Sequence, residues 1–406
     1  MKNIRFSPEM RRRILVAICA GTLCCIVVAG LWPFHAPTNQ VSWLNNENGL
    51  RFGDYGSILS AGGFTARTSQ GDPSCSIEIW LEPGLTADSN TFLAFYSAGV
   101  PSVAFSLHQS ISDLNLRREI LNGENRAGTV GFMVDDVFRQ KKPVFVTVTS
   151  GAQGTSVYIN GALTKTSSSF GLSGKDFSGR LVVANSPIAN DSWSGRLLGL
   201  AIYERGLTAA QVLRHYKEWT TGGKPAAAET ENAVALYLFN ERSGSIVRNQ
   251  INPATDLLIP EHYFVLHAPF LSSLSDDYYP GWHYWKYVAI NIAGFIPLGF
   301  VFCAYFWEMK RRVWASILLG FTVSLSIEVL QAFLPTRDSG MTDIITNTFG
   351  TALGAMLCSC NTVQGLFTRA GLRADRLEVR FHPLEKGECV CAETPSSAVE
   401  GLGKVS

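Results

Sequence analysis

Four apolar stretches, 14–33, 285–307, 313–334 and 341–360, are each long enough to cross a bilayer, which takes about 20 residues of α-helix. In lipid the backbone must satisfy its own hydrogen bonds, so the sequence predicts four membrane helices. The C-terminal three carry polar residues: Asn291, Glu328, Gln331, Asp343 and Asn347 lie inside them, and Arg337 and Asp338 lie between the last two. A charged side chain at the centre of such a helix costs at least about 2.5 kcal/mol, so these groups are paired, buried between helices, or functional.

Basic residues set the orientation. Lys2, Arg5, Arg11, Arg12 and Arg13 precede the first stretch, Lys310, Arg311 and Arg312 fill the turn after the second, and Arg369, Arg373, Arg376 and Arg380 follow the last. Positive residues mark the cytoplasmic side. Residues 1–13 and a disordered tail, 361–406, are therefore expected on the cytoplasmic side of a bacterial cell membrane, with 34–284 on the outer side. Asn291, Glu328, Gln331, Asp343 and Asn347 then fall in the outer leaflet. Glu328 and Gln331 are spaced i,i+3 and Asp343 and Asn347 i,i+4, so each pair shares one helix face. Gly350 and Gly354 continue the second stripe as a small-xxx-small pattern, which predicts close packing against another helix.

The runs NIAGFIPLGF (291–300) and IEVLQAFLPTRDSGMTDIITNTFGTALGA (327–355) resemble the VanZ-like family of bacterial membrane proteins. The likeness joins an N-x-x-x-F-x-P-x-G element, which includes Pro297 and Gly299, to an E-x-x-Q pair and an R-D…D-x-x-x-N-x-x-G element, over about 285–360 only. The family is named after a member associated with low-level resistance to a lipoglycopeptide antibiotic. The resemblance implies a membrane fold and a role at the cell envelope rather than a defined reaction.

Nearly two hundred residues of strand-rich sequence separate the first stretch from the other three. Alternation is visible in SIEIWLEP, where Ile77, Ile79 and Leu81 share a face, and in PVFVTVTS, where Val144, Val146 and Val148 do, so half-buried strands are expected. Asn160-Gly161 inside SVYINGAL predicts a tight hairpin. A last strand from about Arg196 to Tyr203 leads to a short helix opened by Thr208 with Gln211 three residues on, a capping box. These motifs resemble a laminin-G-like, concanavalin-like β-sandwich over 40–222, a fold whose members bind carbohydrate or protein at loop edges. The paired-carboxylate strand of glycanases with this fold is not legible, nor is a calcium loop around Asp72 or Asp191, and no metal or cofactor is expected. The segment 223–284 reads as a linker and then an apolar, Pro-broken run (256–274) on the outer membrane face. Ala233 to Gln250 echoes the opening of another such unit and could add an edge strand.

A net charge of +1 and a pI near 7.6 exclude a nucleic-acid-binding class, while 46% hydrophobic residues suit a membrane-anchored chain. Of nine cysteines only Cys75 lies in the outside segment, so the sandwich is expected to stand on its apolar core without a bridge. Cys389 and Cys391 lack a companion pair for metal binding. The first stretch exceeds the length of a signal-peptide core and lacks an A-x-A-like exit, so it is expected to be retained.

Three function classes are compatible with these residues. The sandwich could bind a glycan, peptidoglycan precursor or protein while the polar set accepts a lipid-linked group, with Arg337 forking onto a phosphate or carboxylate. The chain could be an intramembrane enzyme with Glu328 or Asp343 as base. Or the polar set could be helix glue, worth about 0.6–2 kcal/mol per contact. Oligomeric state is not legible.

Overall fold

A computed structural model of the chain describes residues 8–65, 74–86, 88–97, 102–122, 126–221, 232–278 and 281–369. Helix α1 (Pro8–Leu31) leads into strands β1 (Val41–Trp43), β2 (Leu50–Phe52), β3 (Ile58–Ser60), β4 (Cys75–Pro83), β5 (Asp88–Ser97), β6 (Ser102–Ile111), β7 (Asp113–Asn122) and β8 (Arg126–Val134). They are followed by β9 (Val144–Gly151), β10 (Gly154–Ile159), β11 (Ala162–Ser167), β12 (Arg180–Val183) and β13 (Gly195–Tyr203). Helix α2 (Ala209–Thr220) precedes β14 (Ala233–Tyr237), β15 (Ile246–Val247) and β16 (Leu257–Leu258). The chain continues as α3 (Leu274–Asp277), α4 (Trp282–Tyr305), α5 (Arg312–Gln331), α6 (Met341–Ser359) and α7 (Asn361–Arg369).

The strands form two antiparallel sheets. One has the order β1-β2-β13-β4-β9-β10-β11, with β14 also paired to β13; the other runs β15-β16-β3-β12-β5-β6-β7-β8. Ile77, Ile79, Leu81, Val144, Val146 and Val148 from the first sheet meet Phe95, Phe105, Leu107 and Leu116 from the second in one buried cluster, which also takes in Cys75. Asn160 and Gly161 turn β10 into β11 with φ of 52° and 80°, the left-handed pair that a two-residue hairpin requires. Thr208 and Gln211 close the predicted box at the start of α2: Thr208 N–H donates to Gln211 Oε1 at 2.8 Å, and Gln211 N–H to Thr208 Oγ1 at 3.4 Å.

The expectation of half-buried strands needs correction at β4 and β9. Ser76, Glu78, Thr147 and Thr149, on the face away from the core, are buried as well. That face carries α2, and Val212 and Trp219 pack there with Phe145 and Tyr203 in a second apolar cluster. Glu78 tolerates this position because His215 of α2 places Nδ1 3.0 Å from both of its oxygens and Tyr203 donates its hydroxyl at 2.9 Å. A carboxylate is rarely buried unless it is paired in this way.

The sandwich also reaches beyond residue 222. The predicted echo supplies β14 to one sheet and β15 to the other, and Leu257-Leu258, read from sequence as part of a membrane-face run, pairs with β3 instead. Two consecutive leucines there satisfy a strand as well as they would a bilayer surface, and the paired backbone decides. Residues 361–369, assigned to a disordered tail, form α7, in which Val363 and Leu366 stand one turn apart. The rest of that tail, with Cys389 and Cys391, lies outside the described residues, as do Lys2, Arg5 and Asp72.

Among the described residues three helices are long and apolar enough to cross a membrane: α1 over Arg12–Leu31, α4 and α5. Helix α6 has 19 residues but carries Asp343, Asn347 and several threonines, and it packs most closely on α4. Leu31 of α1, Phe295 and Leu298 of α4 and Ile327 of α5 form a shared buried cluster, so α1 is an integral part of the bundle.

Candidate functional site

Two polar constellations stand out, one at the end of the helices nearest the sandwich and one on the sandwich itself. In the bundle, α4 and α6 approach through small residues. A Cβ on Gly299 would overlap the Thr351 carbonyl oxygen, one on Gly350 that of Ile292, and one on Gly354 that of Ile296. Pro297 sits inside α4 between these contacts, where it cannot donate to the preceding turn.

This approach brings the polar stripe of α6 against α4. Tyr287 donates its hydroxyl to Asp343, 2.6 Å from each carboxylate oxygen, and Asn291 Nδ2 donates to Asp343 Oδ1 at 2.8 Å. One turn further in, Asn347 Nδ2 donates to Ser324 Oγ of α5 at 3.0 Å. Glu328, 1% exposed, accepts the Gly340 N–H at 2.9 Å, just before α6. A carboxylate there satisfies an otherwise orphaned amide and complements the positive end of the helix dipole. Met341 N–H, the next donor, is taken by the Ser272 carbonyl at 3.0 Å.

Gln331 and Arg337 face α1. Gln331 Nε2 donates to the Gly30 carbonyl at 2.7 Å; the Arg337 guanidinium donates to the Trp32 carbonyl, with Nε at 3.1 Å and Nη2 as second donor. These carbonyls lie where α1 runs out of intrahelical partners, and a cation is favoured at that end. The predicted residues thus divide into an Asp343 set, a Glu328 cap and a clamp on α1. Tyr287 and Ser324 are partners that pattern reading missed, although Tyr287 stands one turn before Asn291 on the same face. Asp338 belongs to the junction with the sandwich, where its charge adds to burial in raising the Tyr263 hydroxyl above its usual range.

A strap, residues 259–272, joins the two parts. It pairs with the loop after β12 through His267 N–H to Pro187 O at 2.9 Å, Asn185 Nδ2 to Phe264 O at 3.3 Å and Tyr263 hydroxyl to Asn190 Oδ1 at 2.8 Å. It then meets the α5–α6 turn, where Ser272 N–H donates to Ser339 O at 2.9 Å.

The loop that the strap supports walls a cavity of about 230 Å³ on the outer face of the second sheet. Thr91 and Ala94 of β5, Ser106 and His108 of β6, Arg117 and Glu119 of β7 and Thr129 of β8 form its floor, with Ser186, Ile188 and Asp191 on the wall. Alternation explains the floor: Leu107 and Leu116 point to the core, so His108 and Arg117 point away from it. Register aligns Thr91 with His108, Ser106 with Arg117 and Glu119 with Thr129.

A hydrogen-bond chain crosses this floor. Thr91 gives its N–H (3.1 Å) and its hydroxyl to Asp191 Oδ2, His108 Nδ1 lies 2.8 Å from Thr91 Oγ1, and His108 Nε2 lies 2.8 Å from Ser106 Oγ. The carboxylate can only accept, so the Thr91 hydroxyl donates to it and in turn accepts Nδ1–H. That leaves Nε2 to accept from Ser106. The order has the polarity of a nucleophile, base and carboxylate. Yet burial, aided by the Arg117 charge, pushes the imidazole down to about 3. Such a group is a poor general base near neutral pH, and its Nδ1 stands 3.8 Å from Asp191, beyond direct hydrogen-bond reach. The chain therefore orients hydroxyls and holds a neutral histidine. Burial also raises the Asp191 carboxyl, against the pull of its Thr91 hydrogen bonds.

Comparisons with known proteins agree with this division. Residues 232–364 match the family model described as VanZ/LLP1, and residues 54–213 match the concanavalin A-like lectin/glucanases superfamily. The curated proteins give no match. Among solved structures, the binding domain of Paraclostridial Mosquitocidal Protein 1 is 12% identical, with a TM-score of 0.31 over 45% of this chain and 47% of that one. A SAP-like pentraxin from Limulus polyphemus is 13% identical, with a TM-score of 0.33 over 56% and 94%. The receptor binding domain of botulinum neurotoxin D is 14% identical, with a TM-score of 0.31 over 44% and 45%. The chain spans less than half the length of the first of these structures. It is a membrane protein that joins a concanavalin A-like, lectin-type sandwich to a VanZ-like helical segment in one polypeptide.

Proposed function

We propose that this chain is a multi-pass protein of a bacterial cell membrane whose sandwich faces outward and binds a glycan or cell-wall ligand, contributing to envelope maintenance or glycopeptide tolerance. The observation that carries the reading is the cavity beside Asp191. It is lined by polar groups already held in a hydrogen-bonded chain, which is the preorganisation that a binding site for a polar ligand needs. Orientation is supported by the Lys310–Arg312 turn at the far end of α4 from the sandwich, where Arg312 lies 3.8 Å over the Trp307 ring. With α6 as the fourth crossing, both termini face the cytoplasm.

For the bundle, a second reading has its own observation. Glu328, Gln331, Arg337 and Asn347 each hydrogen-bond a helix end or a neighbouring helix. This favours helix glue that carries the sandwich over a site for a lipid-linked group or a catalytic base at Glu328 or Asp343.

One experiment addresses both. A deletion strain is complemented with wild type, Glu328→Gln or Arg117→Ala and grown across cell-wall-targeting antibiotics, lipoglycopeptides included. Rescue by wild type and Glu328→Gln but not by Arg117→Ala, at equal protein levels, is expected. Full rescue by Arg117→Ala removes the sandwich from the function, and failure of Glu328→Gln restores the bundle as the site.

A further inference from the structure

The charge of the sandwich cavity narrows what it can hold. Its lining sets two carboxyl groups, Glu119 and Asp191, against one guanidinium, Arg117. His108 adds no cation, because its proton affinity lies far below neutral pH. Carboxyl groups therefore outnumber cations in the lining, and a further carboxylate brought into it meets like groups in a partly desolvated place.

The available hydrogen-bonding groups point the same way. Asp191 is partly exposed at 30% of its side-chain surface, and the Thr91 N–H and hydroxyl both donate to its Oδ2. Arg117 is an exposed donor two residues from Glu119 on the same strand face, and Ser186 and Thr129 can donate or accept. Ala94, Val103 and Ile188 supply apolar surface between these groups. At about 230 Å³ the space is smaller than the roughly 300–1,000 Å³ of pockets for drug-sized ligands. A single sugar ring matches it.

We infer that the cavity bounded by Arg117, Glu119, Thr129 and Asp191 binds one neutral pyranose unit of a glycan and rejects the acidic counterpart. Asp191 and Glu119 accept from ring hydroxyls, Arg117 donates to a ring or exocyclic oxygen, and the apolar residues meet the ring C–H face. Loop 185–191, which provides Asp191, is fastened to the strap that leads to the membrane helices, so the bound unit sits beside the joint between sandwich and bundle. This inference rests on the outward glycan-binding reading above.

The test is calorimetric titration of the full chain in nanodiscs with three defined probes: the tetrasaccharides of N-acetylglucosamine, of glucose and of galacturonic acid. At least one neutral probe is expected to bind, and the galacturonate not. Arg117→Ala and Asp191→Asn are each expected to weaken binding about tenfold or more, the loss of one charge-assisted hydrogen bond. Thr129→Trp, at an exposed position on the floor, is expected to abolish binding by filling the space, with an unchanged melting temperature as the folding control. Preference for the acidic probe overturns the inference. Neutral binding that survives all three substitutions places the glycan site elsewhere and leaves the proposed function standing. No binding of any probe by wild type removes the inference, and absence of binding to whole cell-wall glycan as well removes the function with it.

Discussion

Replacing His215 by leucine removes the partner that meets both oxygens of the buried Glu78 carboxylate and leaves it the Tyr203 and Thr147 hydroxyls. Glu78 and His215 are both 0% exposed, and the imidazole nitrogen is 3.0 Å from the carboxylate. Breaking a buried pair by deleting one partner costs about 3–5 kcal/mol, because the remaining charge stays desolvated. For a domain of this size each kcal/mol moves the midpoint by about 2–4 °C, so a fall of roughly 6–20 °C is expected. The double variant Glu78→Leu/His215→Leu removes the charge too. It is expected to regain most of the loss, less about 1–3 kcal/mol for the Tyr203 hydroxyl left without its acceptor. Thermal unfolding of the full chain in detergent, followed by tryptophan fluorescence, reads all three proteins. A His215→Leu midpoint within about 2 °C of wild type, or a double variant less stable than the single, refutes the reasoning.

Other consequences are as direct. His108 titrates near 3 in the folded protein and near 6.5 unfolded. The unfolded chain therefore binds more protons between those values, and stability falls as pH drops through that window. The raised Asp191 carboxyl acts in the opposite sense above its ordinary range, so His108→Gln is expected to flatten the acid loss measured by denaturant titration from pH 7 to 4; an unchanged slope contradicts the assignment. Gly354→Leu, which drives a side chain into the Ile296 carbonyl, is expected to destabilise the bundle by about 1–3 kcal/mol or more, whereas Gly294→Ala, in open space, leaves detergent thermostability unchanged. Glu328→Gln keeps an acceptor for Gly340 N–H and is expected to lower the bundle's melting temperature little, while Glu328→Leu strands that amide at about 1–3 kcal/mol; equal effects contradict the cap.

How much of this was legible depends on where each partner lies in the chain. The Asn160-Gly161 turn, the Thr208–Gln211 box and the Ile77, Ile79, Leu81 face are local patterns, and the structure shows each of them. Glu78 read as the polar half of an alternating strand, because its partner His215 lies 137 residues away on a helix that periodicity alone does not dock. Asn291, Glu328, Gln331, Asp343 and Asn347 were conspicuous as polar residues in apolar helices. Asn291 and Asp343 partner each other, but the partners of Glu328, Gln331 and Arg337 were not legible, since Gly340, Gly30 and Trp32 contribute backbone atoms that leave no mark on side-chain patterns. The sandwich cavity was illegible for a related reason: Thr91, His108 and Asp191 come from three separate segments, and along single strands only the i,i+2 spacings of Ser106 with His108 and of Arg117 with Glu119 are visible.

The central claim, an outward sandwich that holds cell-wall glycan while the VanZ-like helices anchor it, is tested most directly by co-sedimentation of the full chain in nanodiscs with purified peptidoglycan sacculi. The account predicts that wild type pellets with the sacculi and that Arg117→Ala and Thr129→Trp remain in the supernatant. Wild type left in the supernatant, or variants that pellet equally, contradicts it.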